Sequence, residues 1–434
     1  MLERLFRLGE LKSNVRTEVI AGCTTFLTMA YIIFVNPNIL STTGMDAQAV
    51  FVATCLAAAI GSATMALWAN WPIAMAPGMG LNAFFAFTVV GKLGYTWQQA
   101  LGAVLISGLI FLLLSLTGIR RWLIDGIPAS MRSAIAAGIG LFLAIIAMKG
   151  AGLVVASPAT FITLGDLTST GALLSIGGFF VIAALDVLKV PGAILIGILV
   201  TTVAAILTGV SQFGGIASAP PSIAPTFFQL DVLGALKGGL LHVVLVMVLV
   251  EVFDATGTLI GVAKRAGLLT QGATHTNPGL SRALMADSTA IVAGSVLGTS
   301  STTAYIESAS GVQAGGRTGL TALTVAVLFL FATFLAPLAG SVPVQATAPA
   351  LLYVAALMLR ELAEVHWNDP TETVPAVLTA ITMPFTYSIA NGLAFGFVSY
   401  AVLKLLTGRA REVHVATWLV AGLFILRFVL YPEG

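Results

Sequence analysis

The chain has 434 residues, of which 58% are hydrophobic and only 9% charged, whereas a soluble domain carries about a quarter charged residues. That balance excludes a soluble enzyme or binding domain and specifies a polytopic protein of the lipid bilayer, with room for some 12–14 helices of about 20 residues. The formal net charge of +2 argues against nucleic acid as a partner, and Cys23 and Cys55, both in apolar segments, make neither a disulfide framework nor a metal site.

The first 16 residues, MLERLFRLGELKSNVR, are amphipathic and basic, and an apolar span follows with no cleavable signal. Apolar spans are predicted at about 17–37, 48–69, 78–91, 97–117, 132–151, 172–188, 191–209, 238–262, 283–297, 304–313, 318–340, 346–360, 373–387, 389–407 and 413–430. No long hydrophilic stretch interrupts them, so no separate soluble domain is expected. Basic residues set the orientation. With the arm bearing Arg4, Arg7, Lys12 and Arg16 in the cytoplasm, each even-numbered span ends beside Lys or Arg. These are Arg120 and Arg121, Lys189, Lys264 and Arg265, Arg317, Arg360, and finally Lys404, Arg409 and Arg411. The last segment, with Arg427, exceeds a count of fourteen. Either it is a further span, a re-entrant piece or an interfacial helix, or residues 373–407 form one bent span.

Two segments are too irregular for ordinary spans. In APGMGLNAFFAFTVV, residues 76–90, Pro77, Gly78 and Gly80 prevent a regular helix before Asn82. In GTSSTTAYIESASGV, residues 298–312, Ser and Thr stand where Leu and Val belong, and Thr302 and Thr303 favour extended backbone. Irregular backbone at membrane depth survives only inside protein or along a cavity. The two segments are third and tenth, seven apart, and Asn82 and Glu307 are 225 positions apart. A matched pair of interrupted segments in two inverted halves points to a transporter site.

The acids carry the chemistry. Glu251, Asp254 and Glu307 lie within or between apolar segments, where an acid facing lipid costs about 3 kcal/mol and three cost roughly 9 kcal/mol. Glu251, Asp254 and Thr258 follow i, i+3, i+7 and share one helix face. Gly257 and Gly261 on the same helix form a G-x-x-x-G expected to admit a neighbouring backbone. No Lys or Arg is expected at mid-span to neutralise these acids. Glu307 follows the extended STTAY and opens a short helix. Asn82, in the equivalent place of the other half, offers a donor and an acceptor without charge; a capping acid and an amide that satisfies loose backbone are the plainer alternatives. Phe84, Phe85 and Phe87, with Phe26 in the first span, are candidates to stack on a planar ligand, although packing accounts for any one of them as readily. Asp287 and Arg282 are expected to form a local ion pair or gate contact. His242, His275, His366 and His414 have no partner at metal-ligand spacing and receive no role. No phosphate loop, nucleophile motif or zinc pattern occurs, which argues against an enzyme and against a cofactor or metal.

The runs TEVIAGCTTFLTMAYIIFVNPNIL, APGMGLNAFFAF, EVFDATGTLIGVAKRAG and GTSSTTAYIESASGVQAGGRTGLTA resemble the adenine/guanine/hypoxanthine permeases. These are the purine branch of the nucleobase–ascorbate transporter superfamily, and the resemblance covers essentially the whole chain. It implies an all-α polytopic fold of about fourteen segments in two inverted seven-segment repeats, with short strands in segments 3 and 10. A core domain would comprise residues 1–120 and 211–345, and a gate domain, usually the homodimer contact, residues 121–210 and 346–434. Purine import by proton symport would follow an elevator movement of core against gate, in the bacterial inner membrane with the N-terminus cytoplasmic. Asn82, Glu251, Asp254 and Glu307 match the family's binding positions. In the uracil and xanthine relatives the turn after the eighth span's acid carries a polar partner, whereas here it carries Asp254. Two acids three residues apart compete for ionisation, so Glu251 and Asp254 are the expected proton carriers, with Glu307 and Asn82 holding the base. The alternatives are an anion carrier of the sulfate or bicarbonate type and an acid-lined cation channel. An anion site should present Arg and few acids, and paired broken helices favour a carrier over a channel.

Overall fold

A computed structural model describes residues 2–117, 119–237, 241–269 and 278–430. Each of the fifteen apolar segments forms helix there, although residues 238–240 at the start of the eighth and His275 lie outside the described residues. Among the described residues ten helices are long and apolar enough to cross a membrane, and Met79–Lys92, Ala193–Leu207 and Val415–Val429 are shorter apolar helices. The protein is thus a multi-pass membrane protein. The remaining segments form shorter helices, among them the 17-residue Pro370–Thr386 and the 6-residue Ser308–Gln313.

The interruptions have local causes. The first span divides into Val15–Met29 and Ile32–Leu40, with Pro37 inside the second piece. The second span, Ala47–Thr64, passes into a wider π-helical turn, Met65–Ala69, and stops at Asn70, whose φ is 56°. Asn70 spends its side chain on other backbone ends, donating to the Phe6 carbonyl (3.0 Å) and accepting from Gly319 N (2.8 Å). Residues 373–407 are not one bent span: Pro370–Thr386 and Ile389–Leu406 meet at Tyr387, which has φ 52°, and pack closely along each other as a hairpin. Ser388 caps the second arm by accepting from Asn391 N.

The third and tenth segments meet at the centre. Strand Met75–Pro77 pairs antiparallel with strand Thr302–Ala304, in the register Met75↔Ala304, Ala76↔Thr303 and Pro77↔Thr302. All six residues are buried. Gly78 N extends the pairing to the Ser301 carbonyl at 2.8 Å, and Tyr305 N reaches the Ala74 carbonyl at 3.0 Å. Two short strands thereby satisfy backbone groups that lipid could not. Each leads into a short helix: Met79–Ala83, continued by π-helical Phe84–Lys92, and Ser308–Gln313.

Around this crossing the long helices form two packing groups. Val15–Met29, Ala47–Thr64, Trp97–Thr117, Leu241–Arg265, Pro278–Leu297 and Gly319–Ala332 pack on one another and on the strands. Ala129–Gly150, Thr170–Val187, Ala193–Leu207, Val344–Met358 and the 370–406 hairpin form the second group. A second, exposed strand pair, Val154–Ser157 with Phe161–Leu164, lies between Ala129–Gly150 and Thr170–Val187. The sequence reading had no strand there.

The expected G-x-x-x-G seam is corrected. A methyl group built on Gly257 or Gly261 would meet nothing within 4 Å among the described residues. Among those residues, then, the two glycines seat no neighbouring backbone.

Candidate functional site

Leu241–Arg265 runs beside the strand crossing and carries Glu251 there, fully buried. Glu251 Oε1 accepts from Ser301 Oγ (2.8 Å) and Ser107 Oγ (3.3 Å), while Oε2 has no partner among the described residues. Asn82, on the first half-helix, is equally buried. The Ser300 hydroxyl donates to its Oδ1, and its Nδ2 has no partner among the described residues. Thr299 continues the pattern, since its Oγ1 accepts from Asn36 Nδ2 at 2.9 Å. Three consecutive hydroxyl residues ahead of the second strand thus fasten the first, third and eighth segments.

The other two predicted acids are more open. Asp254 and Glu307 are half-buried. Asp254 follows Glu251 by one helical turn and faces the Gly78 bend, where an added Cβ would stand 3.9 Å from Asp254 Oδ2. Glu307 precedes Ser308–Gln313 and accepts from the Tyr31 hydroxyl at 2.8 Å. Tyr31 and Tyr305 both lie in the field of Glu307 and Asp254, and the Tyr305 hydroxyl is bound to the Pro77 carbonyl at 2.6 Å. Two buried groups, each with a polar atom unpartnered among the described residues, beside two half-open carboxylates, make a polar cluster between the two broken segments. No hydrogen bond joins Glu251 to Asp254 among the described residues. The electrostatic neighbours of Asp254 are Asp287 and Glu307, and those of Glu251 are Asp287 and Arg120.

The aromatic candidates have packing partners. Phe84 is enclosed in the apolar core at 1% exposure, and Phe26 packs edge-on against Phe329 with ring centres 5.1 Å apart. Concavities elsewhere, one apolar beside Ala147, Phe179 and Leu352 and one open beside Trp68 and Arg282, do not touch the acids. The hydrogen-bonded cluster at the crossing is the better site, because it combines convergent polar groups with burial.

One expectation is corrected outright. Asp287 does not pair with Arg282. It pairs with Arg120 at 3.4 Å, with both side chains essentially fully buried. Arg120, read from sequence as a basic residue following the fourth span, turns inward and lies 3.8 Å over the centre of the Phe111 ring. The cluster therefore has four carboxylates nearby and one buried guanidinium. Tyr31, Ser107, Ser300 and Ser301 were also missed as contributors. Only the STT-rich composition of the tenth segment hinted at the last two.

Residues 16–395 match the model of the Permease family. The chain is 51% identical over 429 residues to the adenine permease AdeP of Escherichia coli, covering 99% of this chain and 96% of that one. It is 46% identical over 442 residues to the guanine/hypoxanthine permease PbuG of Bacillus subtilis, covering 99% of each. Among solved structures it shares its fold with the transmembrane domain of the cyanobacterial bicarbonate transporter BicA, with a TM-score of 0.63 at 17% identity over 89% of this chain and 96% of that one. Composition, the crossed strands and these similarities agree: the chain belongs to the Permease family, in its adenine and guanine/hypoxanthine permease branch.

Proposed function

We propose that the chain imports purine nucleobases (adenine, guanine or hypoxanthine) by proton symport. The observation that carries this reading is the pair of unpartnered buried atoms, Glu251 Oε2 and Asn82 Nδ2. A buried polar atom without a partner costs about 1–3 kcal/mol, a cost that a ligand with a complementary edge removes. A purine is flat, uncharged near neutral pH and rimmed with alternating donors and acceptors. A carboxylate accepts from its ring N–H, a protonated carboxyl donates to a ring nitrogen, and an amide N–H meets a ring nitrogen or carbonyl. The similar adenine and guanine/hypoxanthine permeases point to the same ligands.

In this reading Asn82 and Glu307 hold the base, and Glu251 and Asp254 carry the coupled proton. The half-open Asp254 and Glu307 form the entry side of the cluster. The two packing groups of helices support an elevator movement, with residues 1–120 and 211–345 moving as the core against a gate of 121–210 and 346–434. Assembly as a homodimer through the gate, and an inner-membrane setting with a cytoplasmic N-terminus, complete the proposal. An anion substrate is disfavoured, because among the described residues the arginine near these acids, Arg120, is already committed to Asp287.

Competitive uptake in proteoliposomes with labelled adenine, guanine, hypoxanthine and uracil, at two pH values and with an uncoupler, tests the reading. Accumulation that collapses with the uncoupler and is displaced only by purines is expected. Uptake of bicarbonate or sulfate without purine competition would sink it.

A further inference from the structure

Arg120 occupies an unusual place. It sits on the short helix Ile119–Asp125, which connects Trp97–Thr117 of the first packing group to Ala129–Gly150 of the second. Yet it is 1% exposed and its guanidinium is spent entirely inside the first group. Its Nε donates to Thr256 Oγ1 (3.2 Å), on the helix that carries Glu251 and Asp254. Its Nη1 donates to Ser115 Oγ and to the Leu284 carbonyl (3.2 Å each). Its Nη2 meets Asp287 Oδ2 at 3.4 Å. The other carboxylate oxygen of Asp287 accepts from Thr303 Oγ1 and Ala304 N, each at 3.2 Å, on the second crossing strand.

These bonds close a ring. Asp287 holds residues 303 and 304; two residues earlier, Ser301 donates to Glu251 Oε1; and Glu251 shares its helix with Thr256, which Arg120 holds. Every group on Asp287 is a donor or a cation, which requires the carboxylate form, and arginine supplies a permanent charge with a rigid fork that lysine lacks. We propose that Arg120 and Asp287 are a positioning pair for the transport site, fixing the second strand so that Ser301 occupies Glu251 Oε1 and Oε2 alone is presented to ligand and proton. This rests on the purine reading for the ligand, but not for the geometry.

A buried ion pair kept only for folding behaves differently. Removing one partner leaves an uncompensated charge, whereas removing both with apolar or neutral replacements of similar size is often neutral. The test therefore uses the pair Arg120→Met with Asp287→Asn, alongside Ser301→Ala and Arg120→Lys, all in the full chain. Two readouts apply: affinity for adenine and hypoxanthine, and the rate at which a hydrophobic carbodiimide labels Glu251, mapped by mass spectrometry without ligand. Ser301→Ala should weaken affinity about tenfold, the scale of one hydrogen bond to a charged group, and change the labelling rate several-fold. The paired variant should reproduce both changes, and adding Ser301→Ala to it should change neither further. Arg120→Lys should fall between. A folded paired variant with wild-type affinity and wild-type labelling overturns the proposal. If the paired variant fails to fold, wild-type behaviour of both Arg120→Lys and Ser301→Ala overturns it instead. Should the wild type bind none of the bases, the purine reading fails while the labelling comparison still decides this one.

Discussion

The two broken segments solve the same backbone problem with different chemistry. The first uses Pro77 and Gly78 to turn, continues through a wide helix rich in phenylalanine, and brings one neutral polar group, Asn82, to the crossing. The second is built from hydroxyl residues, brings Glu307 itself, and gathers Glu251 and Asp287 through Ser301, Thr303 and Ala304. Even the polar partner of Asn82 comes from the second segment, as Ser300. The lesson is that structural pairing across the crossing is nearly symmetric, while charge is placed on one side. That is also the side on which the inward-turned Arg120 can hold an acid.

The largest expected effect tests this division directly. Glu251→Gln keeps the shape and the two hydroxyl contacts but removes the charge and the titratable proton. It should abolish gradient-driven accumulation of a purine and weaken binding about 10- to 100-fold, as expected for a hydrogen bond to a charged group. Asn82→Ala removes a neutral partner and should cost only about 2- to 10-fold in affinity, with coupling to the gradient retained. Equal losses in uptake and binding assays would erase the asymmetry between the halves.

Packing offers the next contrast. A methyl group on Gly311, in the second half-helix, would stand 2.6 Å from the Ala21 carbonyl oxygen, a backbone atom that cannot step aside. Gly311→Ala should lower stability by about 2 kcal/mol, read as thermal unfolding in detergent. On Gly78, at the first half-helix, the methyl would stand 2.9 Å from Thr303 Cγ2, on a short β-branched side chain whose hydroxyl is held by Asp287. The ~0.4–1 kcal/mol that replacing glycine gains from the unfolded chain offsets only part of the cost of moving it, so Gly78→Ala should cost about 1 kcal/mol, less than Gly311→Ala. Gly257→Ala, with no described residue within 4 Å of the added methyl, should stabilise its helix by up to about 1 kcal/mol. A loss at Gly257 instead would show that its face is covered in the membrane-embedded protein.

Much of this was legible in the sequence for physical reasons. Long apolar runs and their Pro, Gly and Thr interruptions are local signals, so the segments and the two broken ones were found. The acids stand out in the sequence because lipid makes each one expensive. What failed was everything set by side-chain direction. Arg120 follows an apolar span and reads as cytoplasmic, yet its long side chain folds back into the bundle. Ser107 reads as a helix serine bonding its own backbone, which it also does at 2.8 Å to the Val104 carbonyl, so its contact with Glu251 leaves no trace in sequence. The Gly257/Gly261 spacing is a genuine small-residue pattern, but a pattern does not say whether a neighbour arrives. The exposed hairpin at 154–164 is too short, and lacks an Asn-Gly turn, to stand out from a loop.

The smallest effect concerns charges far from the crossing, and serves as the control for it. Asp369, Glu372, Lys404, Arg409 and Glu412 form a network at helix ends. Asp369 caps Pro370–Thr386 by accepting from Thr371 N and Thr371 Oγ1, and it also accepts from Arg409 Nη1 at 2.7 Å. The Thr371 hydrogen bond, then Arg409, holds its carboxyl down at about 2. Arg409, then Lys404, does the same for Glu412, also to about 2. Both values lie below the ordinary carboxylate range near 4. A carboxyl depressed in the folded state contributes stability that is fully present above its unfolded value and is lost as pH falls through the folded one. The part of the stability that this network supplies should therefore be constant from about pH 8 to 5 and decline between about 4 and 2. The decline should be small and further weakened by salt, since both carboxylates are solvent-accessible. Asp369→Asn should make it shallower. If stability instead fell between pH 8 and 6, this network could not be the cause, because its carboxyls remain ionised there. Such a fall would have to come from other groups.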